Sequence, residues 1–142
     1  MSTLKGVNRL KGSWVYRSLL NKKVRHTSFN NLEFGRGVIE FKKIKGEQIL
    51  DSSLDMGDNY ILTIKGKITV DVGGTISLKW RGEGIPGSPT EGWIYDYKAY
   101  LAPTWRKATD KTIVLIGSVL RRVAHGTQPA SVTATFYMVK LD

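Results

Sequence analysis

The side chains of this sequence that could transfer a proton or stabilise a charge are few. Tyr95 and Tyr97 carry hydroxyls that donate and accept hydrogen bonds, and Asp96 between them could act as a general base in an apolar pocket. Arg122 could stabilise a developing negative charge, and His125 could exchange a proton near neutral pH. These five residues are the candidate catalytic residues, and whether the protein is an enzyme stays open.

Most other kinds of reactive site are excluded or poorly represented. The chain has no cysteine, which excludes disulfides, thiolate metal ligands and a thiol nucleophile. It has two histidines and no Gly-x-Ser-x-Gly nucleophile elbow. The aspartates of DSSLDMGD lack the ligand spacing of a calcium loop, and the glycine-rich stretches GRG and GEGIPG match no phosphate-binding motif. We therefore expect neither a metal nor a cofactor.

The length and composition are those of one globular domain. The chain has 142 residues, of which 41% are hydrophobic, enough for a single core. We expect one β-barrel domain over residues 1–142, with residues 1–11 as a flexible N-terminal segment. No signal-peptide pattern is present, and the longest apolar run, residues 113–117, is too short to span a bilayer. A soluble cytoplasmic protein without membrane contact is the expectation.

Alternation of apolar and polar residues with a period of two dominates the sequence, and helical spacing is nearly absent. The predicted strands are residues 13–20, 26–29, 37–44, 46–50, 60–70, 75–82, 92–102, 111–125 and 131–141. Closing such a meander removes the exposed edges of its long strands. The sequence therefore predicts an all-β fold, a single antiparallel up-and-down β-barrel of about eight strands. One short helix is expected within residues 49–59, with Asp51 as its N-cap.

The start of the first strand, Gly12-Ser13-Trp14, resembles the Gly-x-Trp opening of the calycins, the group of lipocalins, fatty-acid-binding proteins and avidins. The resemblance extends to the strand plan of the whole chain and to the last hairpin, which is similar in layout to that of avidins. It implies a calycin-like barrel in which the first-strand Trp packs beside an Arg, a role for Arg121 or Arg122. The polar residues that hold biotin in avidins have no recognisable counterparts, so the resemblance implies an architecture and not a ligand.

Alternation also sorts the side chains of each strand into an inward and an outward face. The charges of Asp96 and Lys98 mark their face as the solvent face, so only a bulge would bring Asp96 inside. Arg122 lies an even number of residues from the apolar Ile116 on the same predicted strand, so both side chains are expected to point inward. The residues expected to line the interior and contact a ligand are Trp14, Tyr16, Phe41, Leu62, Ile64, Trp80, Trp93, Tyr95 and Tyr97.

An eight-stranded barrel has room either for its own side chains or for one small ligand. Inward tyrosine hydroxyls would supply the few polar groups of a ligand site, so we predict that a small, mostly apolar molecule binds in an aromatic-lined cavity. Loop 82–91 is expected to form a flexible lid over one end of the barrel. Trp105 is expected to gate the mouth, contact a partner or cap the other end.

Three alternatives to a small-molecule binder stay open. The same cavity could serve a cyclase or isomerase of a natural-product pathway, which acts by positioning its substrate with help from Tyr, Arg or Asp groups. The interior could be filled by its rings. The net charge of +10 could serve a nucleic-acid binder, although rings and cations are expected on opposite faces of the strands, which ranks nucleic acid last. A homo-oligomer also stays open.

Overall fold

The fold is all-β. A computed structural model describes residues 6–110 and 112–142. Its strands are β1 (Gly12–Leu20), β2 (Glu33–Phe41), β3 (Lys43–Lys45), β4 (Gln48–Asp55), β5 (Ile61–Val70), β6 (Ile76–Gly84), β7 (Ile94–Leu101), β8 (Val114–Arg121) and β9 (Thr133–Lys140). A single-turn 3₁₀ helix, Phe29–Leu32, precedes β2.

Eight of these strands close into an antiparallel barrel. From β4 to β9 each strand pairs with the next, β9 pairs with β1, and β1 pairs with β2. The ring is completed where β2 pairs with β4, from Val38 opposite Asp55 to Glu40 opposite Ser53. The short β3 pairs with β4 outside the ring. The predicted barrel of about eight strands is confirmed, and it is consistent with a calycin-like architecture.

Two elements were predicted wrongly from the sequence. The helix expected within residues 49–59 is strand β4, in which Asp51 adopts a positive φ of 51° and the register against β5 shifts. That bulge interrupts the period-two pattern, so only the start of β4 falls within the predicted strand 46–50. The strand expected at residues 26–29 is a loop that leads into the 3₁₀ helix, which Ser28 caps. In the described part of the chain, no helix has the length and apolarity needed to cross a bilayer.

One end of the barrel is filled with packed apolar side chains. Trp14 meets Phe41 edge to face at 6.1 Å between ring centroids, and its Nε1 donates to the carbonyl of Leu10 at 2.9 Å. Leu10 and Val7 are buried in the same core, so this part of the N-terminal segment packs against the barrel. Residues 1–5 of the predicted flexible segment lie outside the described residues. The remaining side chains of this filled half are Ile39, Ile49, Ile68, Ile76, Leu78, Leu115 and Met138.

The arginines suggested by the calycin resemblance do not pack beside Trp14. Val139 of β9 pairs with both Val15 of β1 and Val114 of β8, so β1 and β8 start at the same end of the barrel. Arg121 ends β8 and therefore lies at the opposite end from Trp14. The implied Trp–Arg pair is wrong for this chain, and Trp14 packs against Phe41 instead.

Candidate ligand site in the open half of the barrel

The other half of the barrel contains a cavity of about 870 Å³. It opens at the end where four loops meet, residues 21–32, 56–60, 85–93 and 122–132. Sites for small molecules typically enclose roughly 300–1,000 Å³, so the cavity can hold one such ligand. The aromatic interior is therefore only partly filled by its own side chains.

The floor of the cavity is aromatic. Tyr16 and Tyr97 meet edge to face with their ring centroids 6.1 Å apart, and Trp80 stacks beneath Tyr97 at 5.1 Å. Burial raises the pKa of Tyr16 and that of Tyr97, so both hydroxyls stay protonated at neutral pH. Apolar side chains complete the walls: Phe34, Leu54, Met56 and Leu62.

The predicted ligand-contacting residues divide into two groups. Those that line the cavity are Tyr16, Leu62, Trp93, Tyr95 and Tyr97. Four others, Trp14, Phe41, Ile64 and Trp80, are buried inside the barrel as expected but are covered by neighbouring side chains and do not line it. Alternation predicted which face of each strand is internal. It could not predict which half is hollow, because that depends on where the N-terminal segment packs.

A chain of hydrogen bonds forms one side of the cavity. Arg121 Nε donates to the Tyr95 hydroxyl oxygen at 2.9 Å, and that hydroxyl lies 2.6 Å from Nε2 of His125. Burial and the nearby Arg121 lower the pKa of His125, so its ring is mainly neutral at pH 7 and can accept the Tyr95 proton. Burial also raises the pKa of Tyr95, which keeps the hydroxyl protonated.

Arg121 is a buried cation without an ion-pair partner among the described residues. Its residue surface is 6% exposed, Nη1 donates to the carbonyl of Pro129 at 3.1 Å, and Nη2 has no hydrogen-bond partner in the same described segments. The carboxylate of Glu33 also lines the cavity, but Arg17 and Arg36 each hold it at 3.0 Å. An arginine stays protonated when buried, so an anion entering the cavity would stabilise Arg121.

Two of the candidate catalytic residues lie on the outside of the barrel. No bulge interrupts β7, so Asp96 keeps its outward phase and pairs with Arg81 Nε at 2.8 Å and Arg122 Nε at 3.4 Å. The expectation that Arg122 points inward is wrong, and the preceding Arg121 takes the inward position. Strand β8 is apolar on both faces, with Ile116 exposed, so alternation could not decide its phase.

A stack of three rings forms the rim beside this group. Trp93 stacks on His125 with centroids 3.8 Å apart, and Tyr60 stacks on the Trp93 ring at 5.8 Å. Tyr60, in the turn between β4 and β5, is not among the predicted ligand contacts. It belongs to the cavity lining.

Phe34 is the main wall residue that sequence reasoning missed. Its ring lies 4.6 Å from the Arg121 guanidinium carbon and packs edge to face on Tyr95 at 6.0 Å. The pairing of β1 with β2 skips Phe34, since Ser18 is opposite Gly35 and the next residue of β1 is opposite Glu33. The strand was predicted to begin at residue 37, and a bulge before that point leaves no trace in the alternation.

The two loops considered for the mouth lie at opposite ends of the barrel. Loop 82–91 is fixed by the buried Thr90, whose Oγ1 donates to the carbonyl of Ile61 at 2.8 Å and accepts from the Ile85 amide at 3.1 Å. Trp105, which is 78% exposed, follows β7 at the filled end and does not gate the mouth. Loop 82–91 therefore borders the mouth and is held to β5 by Thr90, and its movement as a lid stays a prediction.

Acidification should be visible in Trp93, because its ring lies against His125. We expect protonation of His125 to quench Trp93 fluorescence with a midpoint below about 6.5, the ordinary histidine pKa. Because the folded-state pKa is lowered, the unfolded chain binds this proton more readily. Stability should therefore fall as the pH falls from about 6.5 towards the folded-state pKa, and level off below it. A His125→Gln variant should lack this fluorescence transition. A transition that persists in the variant, or a wild-type midpoint above about 6.5, would contradict its assignment to His125.

Among residues 6–110 and 112–142, no group of three His, Asp or Glu side chains could hold a metal ion. No protein-family model, curated protein or solved structure matches this chain. Inferences about function therefore depend on the geometry of the cavity and of the barrel surface.

Proposed function

We propose that the protein binds a small, mostly apolar molecule that carries an anionic group, with the apolar part in the aromatic cavity and the anion against Arg121. The observation that carries the proposal is the buried guanidinium of Arg121, which has no ion-pair partner among the described residues. A buried unpaired charge is unfavourable to the folded protein, and a ligand anion would relieve that cost.

The shape and chemistry of the cavity support an apolar ligand body. Its walls offer ring faces and edges from Tyr16, Tyr97, Trp93 and Phe34, which bury large apolar area and pack on flat ligands. Charged groups lie at the mouth, whereas the floor is made of protonated phenols and aliphatic side chains. A ligand with one charged end and an apolar remainder matches that distribution.

Two dyes that differ in one group test the proposal. Anilinonaphthalene sulfonate carries an aromatic body and an anion, and N-phenylnaphthylamine carries the same rings without the sulfonate. Isothermal titration should give one sulfonate molecule per chain, bound about tenfold or more tightly than the neutral dye, as a charge-assisted hydrogen bond predicts. That preference should survive moderate salt, because a buried pair is weakly screened.

Equal affinities for the two dyes would contradict the role of Arg121. Binding of several sulfonate molecules per chain, all lost at moderate salt, would show attraction to the basic surface only. Either result would count against the cavity as the binding site for an anionic ligand.

A second candidate is an enzyme that transfers a proton within the same cavity, such as a cyclase or isomerase. It is favoured by the 2.6 Å hydrogen bond between Tyr95 and a mainly neutral His125, beside the cation of Arg121. Such a chain could remove a proton from a bound molecule and stabilise the resulting oxyanion. Phenylpyruvate, an enolisable aromatic acid, should then exchange its acidic C–H protons with D₂O faster with the wild type than with Tyr95→Phe. Equal rates would contradict this candidate.

A further inference from the structure

The outer surface of β5, β6 and β7 carries a dense group of cations outside the cavity. Lys67, Lys79 and Lys98 lie directly opposite one another on adjacent strands, and Lys65 lies opposite Arg81 in the next row on the same face. Neighbouring strands are about 4.8 Å apart and next-but-one residues about 7 Å apart along a strand, so these charges are crowded. Together with Arg122 they form what we name the basic face.

The basic face has more cations than local acids can balance. The carboxylate of Asp96 accepts hydrogen bonds from Arg81 at 2.8 and 3.2 Å and pairs with Arg122 at 3.4 Å. The four lysines have no ion pair among the described residues. Like charges directly opposite each other destabilise a sheet. A row of three lysines is therefore unfavourable to the protein alone and would be stabilised by a bound anion.

The shape of the basic face favours a flexible polymer. These cations line an open surface pocket of about 690 Å³ together with Thr69, Ser118 and Thr133. A flexible chain can adjust the positions of its phosphates to the row of lysines on this surface. Duplex DNA is stiff over roughly 150 base pairs and is usually contacted by an element that projects into its grooves. The four lysines of the basic face lie within strands β5, β6 and β7 and not on a helix.

Exposed aromatic rings lie on the same outer surface as the lysines. Tyr100 is 56% exposed and follows Lys98 by two residues on β7. Tyr100 lies opposite Ile116 of β8, and Ile116 lies opposite Tyr137 of β9. The Tyr137 side chain is also about half exposed. The separation of rings from cations that ranked nucleic acid last is therefore incomplete. Proteins that bind single strands without sequence preference combine a basic groove with rings on which bases stack.

We propose that the basic face binds single-stranded nucleic acid independently of sequence, with phosphates against Lys67, Lys79 and Lys98 and a base stacked on Tyr100. The phosphates would neutralise the crowded row, and the exposed ring would add a contact that a bare polyphosphate cannot use. This surface is separate from the cavity, so its test does not depend on the small-molecule proposal.

Fluorescence anisotropy of labelled oligo(dT) and oligo(U) at several salt concentrations tests the proposal. The logarithm of the association constant should fall linearly with the logarithm of the salt concentration. Four unpaired lysines predict a slope of about −3 for a single strand. The triple variant K67Q/K79Q/K98Q should bind about tenfold or more weakly at low salt, with a slope near −1. The matched control K11Q/K22Q/K23Q removes three exposed lysines that flank β1, which lies across the ring of eight strands from β6, and it should bind much more like the wild type.

Two further readouts separate the proposed contacts from general attraction and from misfolding. Tyr100→Leu should weaken oligonucleotide binding by about tenfold, as loss of one stacked base predicts, without changing the salt slope or the affinity for inorganic polyphosphate. Without nucleic acid, K67Q/K79Q/K98Q should unfold at a higher temperature than the wild type at low salt, because the repulsion within the row is removed.

Three results would overturn the proposal. One is an equal loss of oligonucleotide binding in the two triple-lysine variants, which would show dependence on net charge alone. Another is tighter binding of duplex than of single-stranded DNA. The third is binding to phosphatidylserine vesicles with no measurable binding to either oligonucleotide.

Discussion

Replacing Arg121 by methionine is expected to lower the affinity for anilinonaphthalene sulfonate by about 10- to 100-fold, the value of a charge-assisted hydrogen bond at a buried site. The affinity for the neutral dye should stay within about threefold, since methionine preserves most of the apolar volume of the arginine stem. Isothermal titration of both dyes measures the difference directly. Loss of affinity for both dyes to the same extent would contradict a specific role for the Arg121 charge.

The same variant should be more stable than the wild type when no ligand is present. Removing a buried charge without an ion-pair partner is favourable, and the Tyr95 hydroxyl keeps its hydrogen bond to His125. Thermal unfolding should therefore shift upwards while sulfonate binding is lost, a combination that misfolding cannot produce. Arg122→Met is the matched control, because it removes the same charge one residue away on the outer surface, and it should leave dye binding unchanged.

Filling the cavity from Gly35 should abolish binding of both dyes. Gly35 lines the cavity, and a Cβ at this position would meet Ser18 Oγ at 3.4 Å and Tyr16 Cε1 at 3.9 Å, which are ordinary contacts. The Gly35→Phe ring should therefore enter the cavity, with a change in the free energy of unfolding within about 1–2 kcal/mol and about 30-fold or greater loss of dye affinity.

Gly35→Ala is the control for that experiment, because it adds only the Cβ and should retain dye binding. Oligonucleotide binding should be unchanged in both variants, since Gly35 lies on the cavity wall and the basic face lies on the opposite surface of other strands. If Gly35→Phe folds and still binds the sulfonate dye normally, the dye does not occupy this cavity.

Much of the fold follows from side-chain alternation, because the two faces of most strands differ strongly in polarity. In β6, Ile76, Leu78 and Trp80 are buried and Lys79 is exposed, which is the arrangement that alternation indicates. The pattern fails where local geometry departs from a regular strand. Bulges at Asp51 in β4 and at Phe34 in β2 change the phase without leaving a signal in the sequence.

The site was harder to predict because it depends on contacts between distant segments. Tyr95 and Tyr97 were correctly placed inside the barrel, since charged neighbours mark the outer face of β7. Arg121 could not be distinguished from Arg122, because β8 is apolar on both faces. The division of the interior into a filled and a hollow half depends on the N-terminal Val7 and Leu10, which alternation does not connect with the barrel.

A crystal structure of the protein with anilinonaphthalene sulfonate would test the central proposal most directly. We predict one dye molecule in the open half of the barrel, with a sulfonate oxygen about 3 Å from Arg121 Nη2 and the naphthalene ring against Tyr97 or Trp93. A dye bound only on the outer surface, or one in the cavity with its sulfonate pointing to solvent and away from Arg121, would contradict the proposal.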